Sequence, residues 1–307
     1  MIVRDRPSGL RLFLLLRGSI LQRIRWTLLF NTLLATGVTL AHGSLFTFKI
    51  TLTPIPFTLM GLPLAIFLGF RNTTAYDRYW EGRKLWGELV LRTRNLSRQC
   101  LSLIELDQPV DPLNRAGDVR VRMVHRAIAF VHALRLHLRA QSDDALLQRW
   151  LPAADWPRVA QSSQRPDTIM QGMGQDLALC LRERRIDPCL AAGIDATLSA
   201  MTASAASCER IRNTPVPFSY TLLLHRTAYL YCFLLPFGLV DTTGFMTPFV
   251  VAIVAYTFFG LDALGDEIEE PFGLESNDLP LDTLCGGIEI NLRAALGGRD
   301  LPAPLAP

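Results

Sequence analysis

The segment "LDALGDEIEE" spaces Asp262, Asp266 and Glu269 three or four residues apart, so a helix would carry all three carboxylates on one face. Such a face can form a negative vestibule that concentrates cations; it can equally be a solvated helix end. His125 and His132 are seven apart and would also share a face. An imidazole pair can hold a metal, but arginines crowd this one and no third ligand is in view. A satisfied surface pair is therefore expected. His225 and Arg226 interrupt a long apolar stretch, where ionisable groups are functional candidates. Arg226 can also reach an interface or pair with an acid such as Asp77. The chain has no phosphate-cradling glycine loop, no G-x-S-x-G and no H-E-x-x-H. No catalytic residue, cofactor or nucleic-acid partner is expected.

A different kind of candidate is apolar. "LPLAIFLGF", residues 62–70, sets Leu62, Ile66 and Phe70 at i, i+4 and i+8 and leads straight into "RNTTAYDRYWEGRKLW", which carries six charges. The spacing puts three bulky side chains close to one face of a helix. On spacing alone, this triplet is equally a feature of a membrane helix that is apolar all round.

The elements that must carry these residues are legible from charge distribution. Of the 307 residues half are apolar, and the charges are clustered. From Thr27 to Phe70 only Lys49 is charged; from Pro217 to Leu264 only Arg226, Asp241 and Asp262 are. A bilayer core takes about 20 apolar helical residues to cross. Each stretch suffices for two crossings and is broken near its middle, by Pro54 and Pro56 in one and by Gly244 and Pro248 in the other. Four spans are predicted, at 27–46, 55–73, 217–240 and 245–264. The arginines at 4, 6, 11, 17, 23 and 25, and the run Arg71, Arg78, Arg83, Lys84, place both termini and the middle segment in the cytoplasm. The predicted location is the inner (plasma) membrane, with lipid as a partner. The organisation expected is an N-terminal arm (1–26), a first hairpin (27–73), a cytosolic domain (74–216), a second hairpin (217–264) and a C-terminal segment and tail (265–307). The arginine-rich start and the long apolar run after it do not fit a cleaved signal peptide. Six scattered cysteines without a C-x-x-C pair suggest reduced thiols and no structural metal site.

The middle segment reads as helical throughout. Val121, Val124, Ile128, Val131, Leu134 and Leu138 recur at helical spacing with arginines between them, and Asp118 is a suitable N-cap. A later helix opens at Asp187-Pro188, with Leu190, Ile194, Leu198 and Met201 as its apolar stripe. After "EPFGLESNDLPLD" one short helix at most is expected, then a proline-rich tail.

Three of these motifs, in order, resemble the bestrophin family. "LPLAIFLGF" before a charged, Trp-bearing helix looks like the family's second span. "ERIRNTPVPFSY…HR" is similar to the entry to the third span in its bacterial branch, and "EEPFGLESNDLPLD" to the acidic segment after the fourth. The resemblance runs from the N-terminal arm to Leu292. It implies an all-α membrane protein with four transmembrane helices per subunit and a cytosolic helical domain, assembled as a homopentamer around a central pore. By the same resemblance Leu62, Ile66 and Phe70 line the pore neck, and Ile186 in "RERRIDPC" sets a cytosolic aperture. The charged stretch after Phe70 would then continue the pore helix, bent near Pro63, whose freed Leu59 carbonyl would need water or Thr58.

Two departures qualify what the resemblance implies. Animal members bind calcium with a dense acidic cluster after the fourth span; the matching "LESNDLPLD" keeps Glu275, Asp278 and Asp282, few carboxylates for an ion that takes six to eight oxygens. Calcium dependence is not expected. Animal members also tend to have Phe where this chain has Ile66, and an aromatic edge can favour an anion. With the acidic "LDALGDEIEE", this favours monovalent cations over chloride. The rival readings are a membrane-anchored helical scaffold or a membrane-embedded enzyme.

Overall fold

The computed structural model describes residues 18–41, 44–45, 48–49, 53–114, 116–298 and 303. The arginines at positions 4, 6, 11 and 17 and most of the proline-rich tail lie outside them. Ten helices and one short hairpin make up the described chain.

Helix α1 spans Leu21–Leu40. It starts six residues before the predicted span and ends six before its predicted end, because Arg23 and Arg25 join its first turns and do not stop it. A two-stranded antiparallel turn follows, β1 (Ser44–Leu45) against β2 (Phe48–Lys49). Helix α2 then runs without interruption from Pro54 to Leu103, 50 residues. Proline suits its first turn, where no backbone donor is needed. Pro63 lies inside the helix, which continues past it. The Thr58 hydroxyl donates to the carbonyl of Pro54 at 3.3 Å.

Helix α3 (Val119–Leu138) begins at the expected cap: Asp118 Oδ1 accepts the Arg120 N–H at 2.8 Å. The sequence suggests an amphipathic surface helix, but α3 is buried nearly all round. Its arginines are inside because each meets an acid. Arg120 pairs with Asp118, Arg122 with Asp176, and Arg126 with Asp155 and Asp176. Charges so paired and hydrogen-bonded can be enclosed. Short helices α4 (Asp144–Trp150) and α5 (Trp156–Gln161) and the longer α6 (Arg165–Arg182) surround it. Helix α7 (Pro188–Asn213) starts at Asp187, whose Oδ1 accepts the Cys189 N–H at 2.8 Å. Ile194, Leu198 and Met201 are buried as expected, but Leu190 is exposed in the helix's first turn.

Helix α8 (Phe218–Thr243) and α9 (Thr247–Glu269) form the second apolar pair, separated by a 3₁₀ turn over Gly244–Met246. Gly244 has φ +51°, which glycine adopts without strain. Helix α10 (Leu281–Ala295) is longer than expected because Leu281, Cys285, Ile288 and Leu292 give it a full apolar stripe against α2 and α3. By length and composition three stretches among the described residues can cross a membrane: α2, α7 and α8–α9 in series. Helix α7 belongs to the same core cluster as α3 and α6, whereas α1, not among the three, packs on α8 and α9. No disulfide joins any of the six cysteines.

Two cores result. One gathers Ile24, Phe57, Leu64, Leu68, Tyr231 and Phe259. The other gathers the α3 stripe with Trp86, Leu89 and Leu96. Among the described residues only α2 contributes to both along its length. In the first, α8 passes so close to the start of α2 that a side chain at Gly238 would run into the Phe57 ring. Gly238→Ala is expected to lower stability by about 1–3 kcal/mol through overpacking. Unfolding in detergent checks this, and Phe57→Leu in the same chain should recover part of the loss.

Candidate ion pathway and the charged collar beside it

Helix α2 presents Leu62 (66% exposed), Ile66 (47%) and Phe70 (61%) on the side that the rest of the chain leaves uncovered. Leu64 and Leu68, half a turn away, are buried in the first core. The triplet spacing and the packed face are thus two sides of one helix. Phe67 is also exposed; its ring meets Phe70 edge-on at 6.4 Å, and its carbonyl accepts the Tyr220 hydroxyl at 3.1 Å.

Arg71 follows Phe70 directly and is wholly buried. Its Nη1 donates to Asp262 Oδ1 at 2.9 Å and to the Asp262 carbonyl at 3.3 Å. Its Nη2 pairs with the Asp266 carboxylate, and Glu269 Oε2 stands 3.8 Å away. His225 Nδ1 lies 2.7 Å from the second Asp262 oxygen. Next along α2, Asn72 donates to the Leu261 carbonyl at 3.0 Å. Gly265 permits this approach, since a side chain there would run into Asn72. The expected vestibule is therefore rearranged. Asp262 is withdrawn between Arg71 and His225, whereas Asp266 and Glu269 still line an acid-rich pocket with Glu267, Glu270, Glu275 and Arg23. Three carboxylates share one guanidinium, so the collar keeps negative charge.

Sequence reasoning saw Arg71 only as one of several cytoplasmic charges. The signal that could have found it is the pairing of a lone arginine at the end of one apolar stretch with a lone aspartate near the end of another. Arg226 and Asp77 are both exposed and form no ion pair with each other among the described residues. Seven residues beyond Arg71, Arg78 ties three carbonyls together: Glu269 at 3.1 Å, Ile211 at 2.7 Å and Thr214. It caps the ends of α7 and α9 at once, where a cation suits the helix dipole.

Ile186, expected at a cytosolic aperture, does not stand exposed on the single chain. It is 5% exposed and packs in the second core, in the turn between α6 and α7. The neighbouring Arg185 carbonyl accepts the Glu105 N–H at 2.7 Å, which fixes that turn inward against the end of α2. The histidines do not form a surface pair either. His132 Nε2 lies 3.1 Å from Glu289 Oε2, and the His125 ring meets Trp150 edge-on at 5.4 Å; both are buried in α3. Burial would raise the Glu289 carboxyl, but His132, with Arg149 and Arg293 nearby, holds it below the usual range.

After α9, Asp278 and Asp282 are engaged within the chain. Asp278 is buried, and its Oδ2 accepts the Glu275 N–H at 2.7 Å. Asp282 is taken by Arg135 and Arg139. No group of three or more acidic, His or Cys side chains is arranged to hold a metal among the described residues. Burial, with Glu275 and Glu267 adding repulsion, pushes the Asp278 carboxyl up to about 6.

A long helix with one apolar face uncovered, anchored in a membrane-type core and a helical bundle, defines a helical membrane protein with an ion-pathway candidate. The comparisons make the family specific. A family model described as "Bacterial/Fungal Bestrophin protein" matches residues 1–294. A voltage-dependent anion channel-forming protein of Mesorhizobium japonicum is 45% identical over 298 residues, 97% of this chain and 93% of the relative. One of Escherichia coli strain K12 is 39% identical over 307 residues, 100% and 98% respectively. The crystal structure of a bacterial bestrophin homologue from Klebsiella pneumoniae matches with a TM-score of 0.83 and 36% identity, covering 90% of this chain and all of the other. The chain belongs to the bestrophin family.

Two predictions follow from the collar and the loop. Arg71→Leu would strand buried carboxylates and should cost about 3–5 kcal/mol. Adding Asp262→Asn should recover part of that loss, and a double-mutant cycle on unfolding in detergent measures the coupling. For Asp278 the folded chain keeps its proton between about pH 4 and 6, where the unfolded chain has lost it. Its contribution to stability therefore falls as pH rises through that window. Asp278→Asn should be less sensitive to pH than the parent there, as read by melting temperature.

Proposed function

We propose that the protein is the subunit of a homopentameric ion channel in the inner membrane, passing monovalent ions through a hydrophobic neck made by Leu62, Ile66 and Phe70. The observation that carries this reading is the uncovered apolar triplet on the face of α2 opposite its packed side. One chain cannot enclose water with a single helix face; five copies around an axis can. Rings of apolar side chains then control conduction by excluding water from the narrow passage. Four spans, formed by α1, the first part of α2, α8 and α9, put both termini and the helical bundle in the cytoplasm. The relatives' names as channel-forming proteins support a channel and not an enzyme. A second constriction at Ile186 would require that side chain to turn out of its core, so the pathway rests on the neck.

For the charge of the ion, the acid-rich pocket beyond α9 favours cations, and Ile66 offers no aromatic edge to an anion. The second reading, anion conduction, is favoured by the relatives' names. Reversal potentials under a salt gradient in liposomes decide between them. The neck reading is tested in the same liposomes. Ile66→Ala widens the narrowest ring in every subunit and should raise flux or leave the pore continuously open. Phe67→Ala, on the neighbouring face, should leave flux at the parent level. Unchanged flux in a correctly assembled Ile66→Ala channel would remove the neck assignment.

A further inference from the structure

A second pocket lies beside Arg78, lined by residues of α2, α3 and α7 and by the loop after α9. It encloses about 420 Å³ between Arg78, Arg139, Arg212, Pro215 and the loop Glu270–Leu274. Its charge is one-sided: three arginines face one glutamate, Glu270. Arg139 is answered by Asp282, 2.6 Å from its Nη1. Arg78 and Arg212 pair with no carboxylate among the described residues. Arg78 meets the three carbonyls named above, and Arg212 Nη1 donates to the His137 carbonyl at 2.5 Å. Carbonyls position a guanidinium without neutralising it, so two fixed cations remain beside the pocket against the one carboxylate of Glu270.

The walls are held firmly. Phe272 is buried against Gly82, and its carbonyl accepts Arg139 Nε at 3.3 Å. The loop thereby turns Leu274 outward, 69% exposed. Pro215 lies three residues before Phe218, which is 76% exposed at the first position of α8. Farther along α8, Leu223, Leu230 and Leu234 are exposed on a shared face, roughly 120–160° round the helix from Phe218. A basic pocket with exposed apolar side chains, Leu274 and Phe218, beside it is matched to one chemistry: a phosphodiester carrying acyl chains. Guanidinium forks suit phosphate oxygens, and basic pockets at the cytoplasmic ends of membrane helices bind anionic headgroups.

We propose that this pocket holds the headgroup phosphate of an anionic phospholipid of the inner leaflet, with its chains leaving past Leu274 and Phe218 into the bilayer. The proposal rests on the reading that α8 crosses the bilayer, but not on ion conduction. A lipid so placed would touch the end of α7, the entry to α8 and the loop after α9 together.

The test uses the full chain in neutral detergent with equal amounts of phosphatidylglycerol and phosphatidylcholine, bound lipids being counted by native mass spectrometry. Phosphatidylglycerol should be retained about tenfold in preference. Arg212→Gln should cut that preference about fivefold, since roughly one charge's attraction is lost. Arg212→Lys, which keeps the charge, should retain it, and Arg158→Gln, outside the pocket, should match the parent. Assembly and melting temperature are checked for every variant. Equal retention of the two lipids overturns the proposal, as does an unchanged preference in well-folded Arg212→Gln. Displacement of phosphatidylglycerol by equimolar inorganic phosphate would assign the site to a free anion and overturn it too. None of these readouts needs ion flux, so a protein that conducts nothing could still retain the lipid.

Discussion

A buried guanidinium sits at the joint on which the two halves of this molecule depend. Arg71 is the point where α2 leaves the apolar core and enters the charged one, and it is held there by carboxylates from α9. Taking an arginine out of water costs several kcal/mol unless its donors are met. Here Asp262 and Asp266 meet them, and His225 holds the remaining Asp262 oxygen. The arrangement fixes α2, α8 and α9 relative to one another at one depth. Two turns further, Arg78 does the corresponding work for α7 and α9 by gathering their terminal carbonyls. Leu62, Ile66 and Phe70 are therefore presented by a helix whose rotation about its own axis is set from the opposite side.

Much of the fold was legible in the sequence because membrane insertion leaves a coarse signature. Two long stretches nearly free of charge, each broken by proline or glycine, lead directly to the paired apolar helices. Caps at Asp118 and Asp187 were readable for the same reason, as short polar side chains before apolar periodicity. What escaped were features decided by partners distant in sequence. Helix α3 looks amphipathic because its arginines break the apolar pattern, yet Asp155 and Asp176 take Arg122 and Arg126, and Asp282 takes Arg135. His132 looks exposed for the same reason and finds Glu289 more than 150 positions away.

The candidate site shows the same division. The spacing of Leu62, Ile66 and Phe70 is local and could be read directly. The depth of Asp262 is not local: its acidic neighbours suggested a solvated face, while the opposing arginine lies 191 residues away. Ile186 was assigned by resemblance alone, and no local pattern could show that its turn is drawn inward by Glu105.

The uninterrupted length of α2 has a mechanical consequence. At 1.5 Å per residue, Leu62 lies about 14 Å from Arg71 along the axis, and Leu103 about 48 Å on the other side. If the helix tilts as a rigid beam about that anchored point, it behaves as a lever with unequal arms of roughly one to three and a half. A displacement of about 3.5 Å at the Leu103 end becomes about 1 Å at the level of Leu62, in the opposite direction. Coarse movements of the bundle are thus geared down to fine adjustments at the Leu62 end, while thermal jostling of the short arm is resisted by the leverage of the long one.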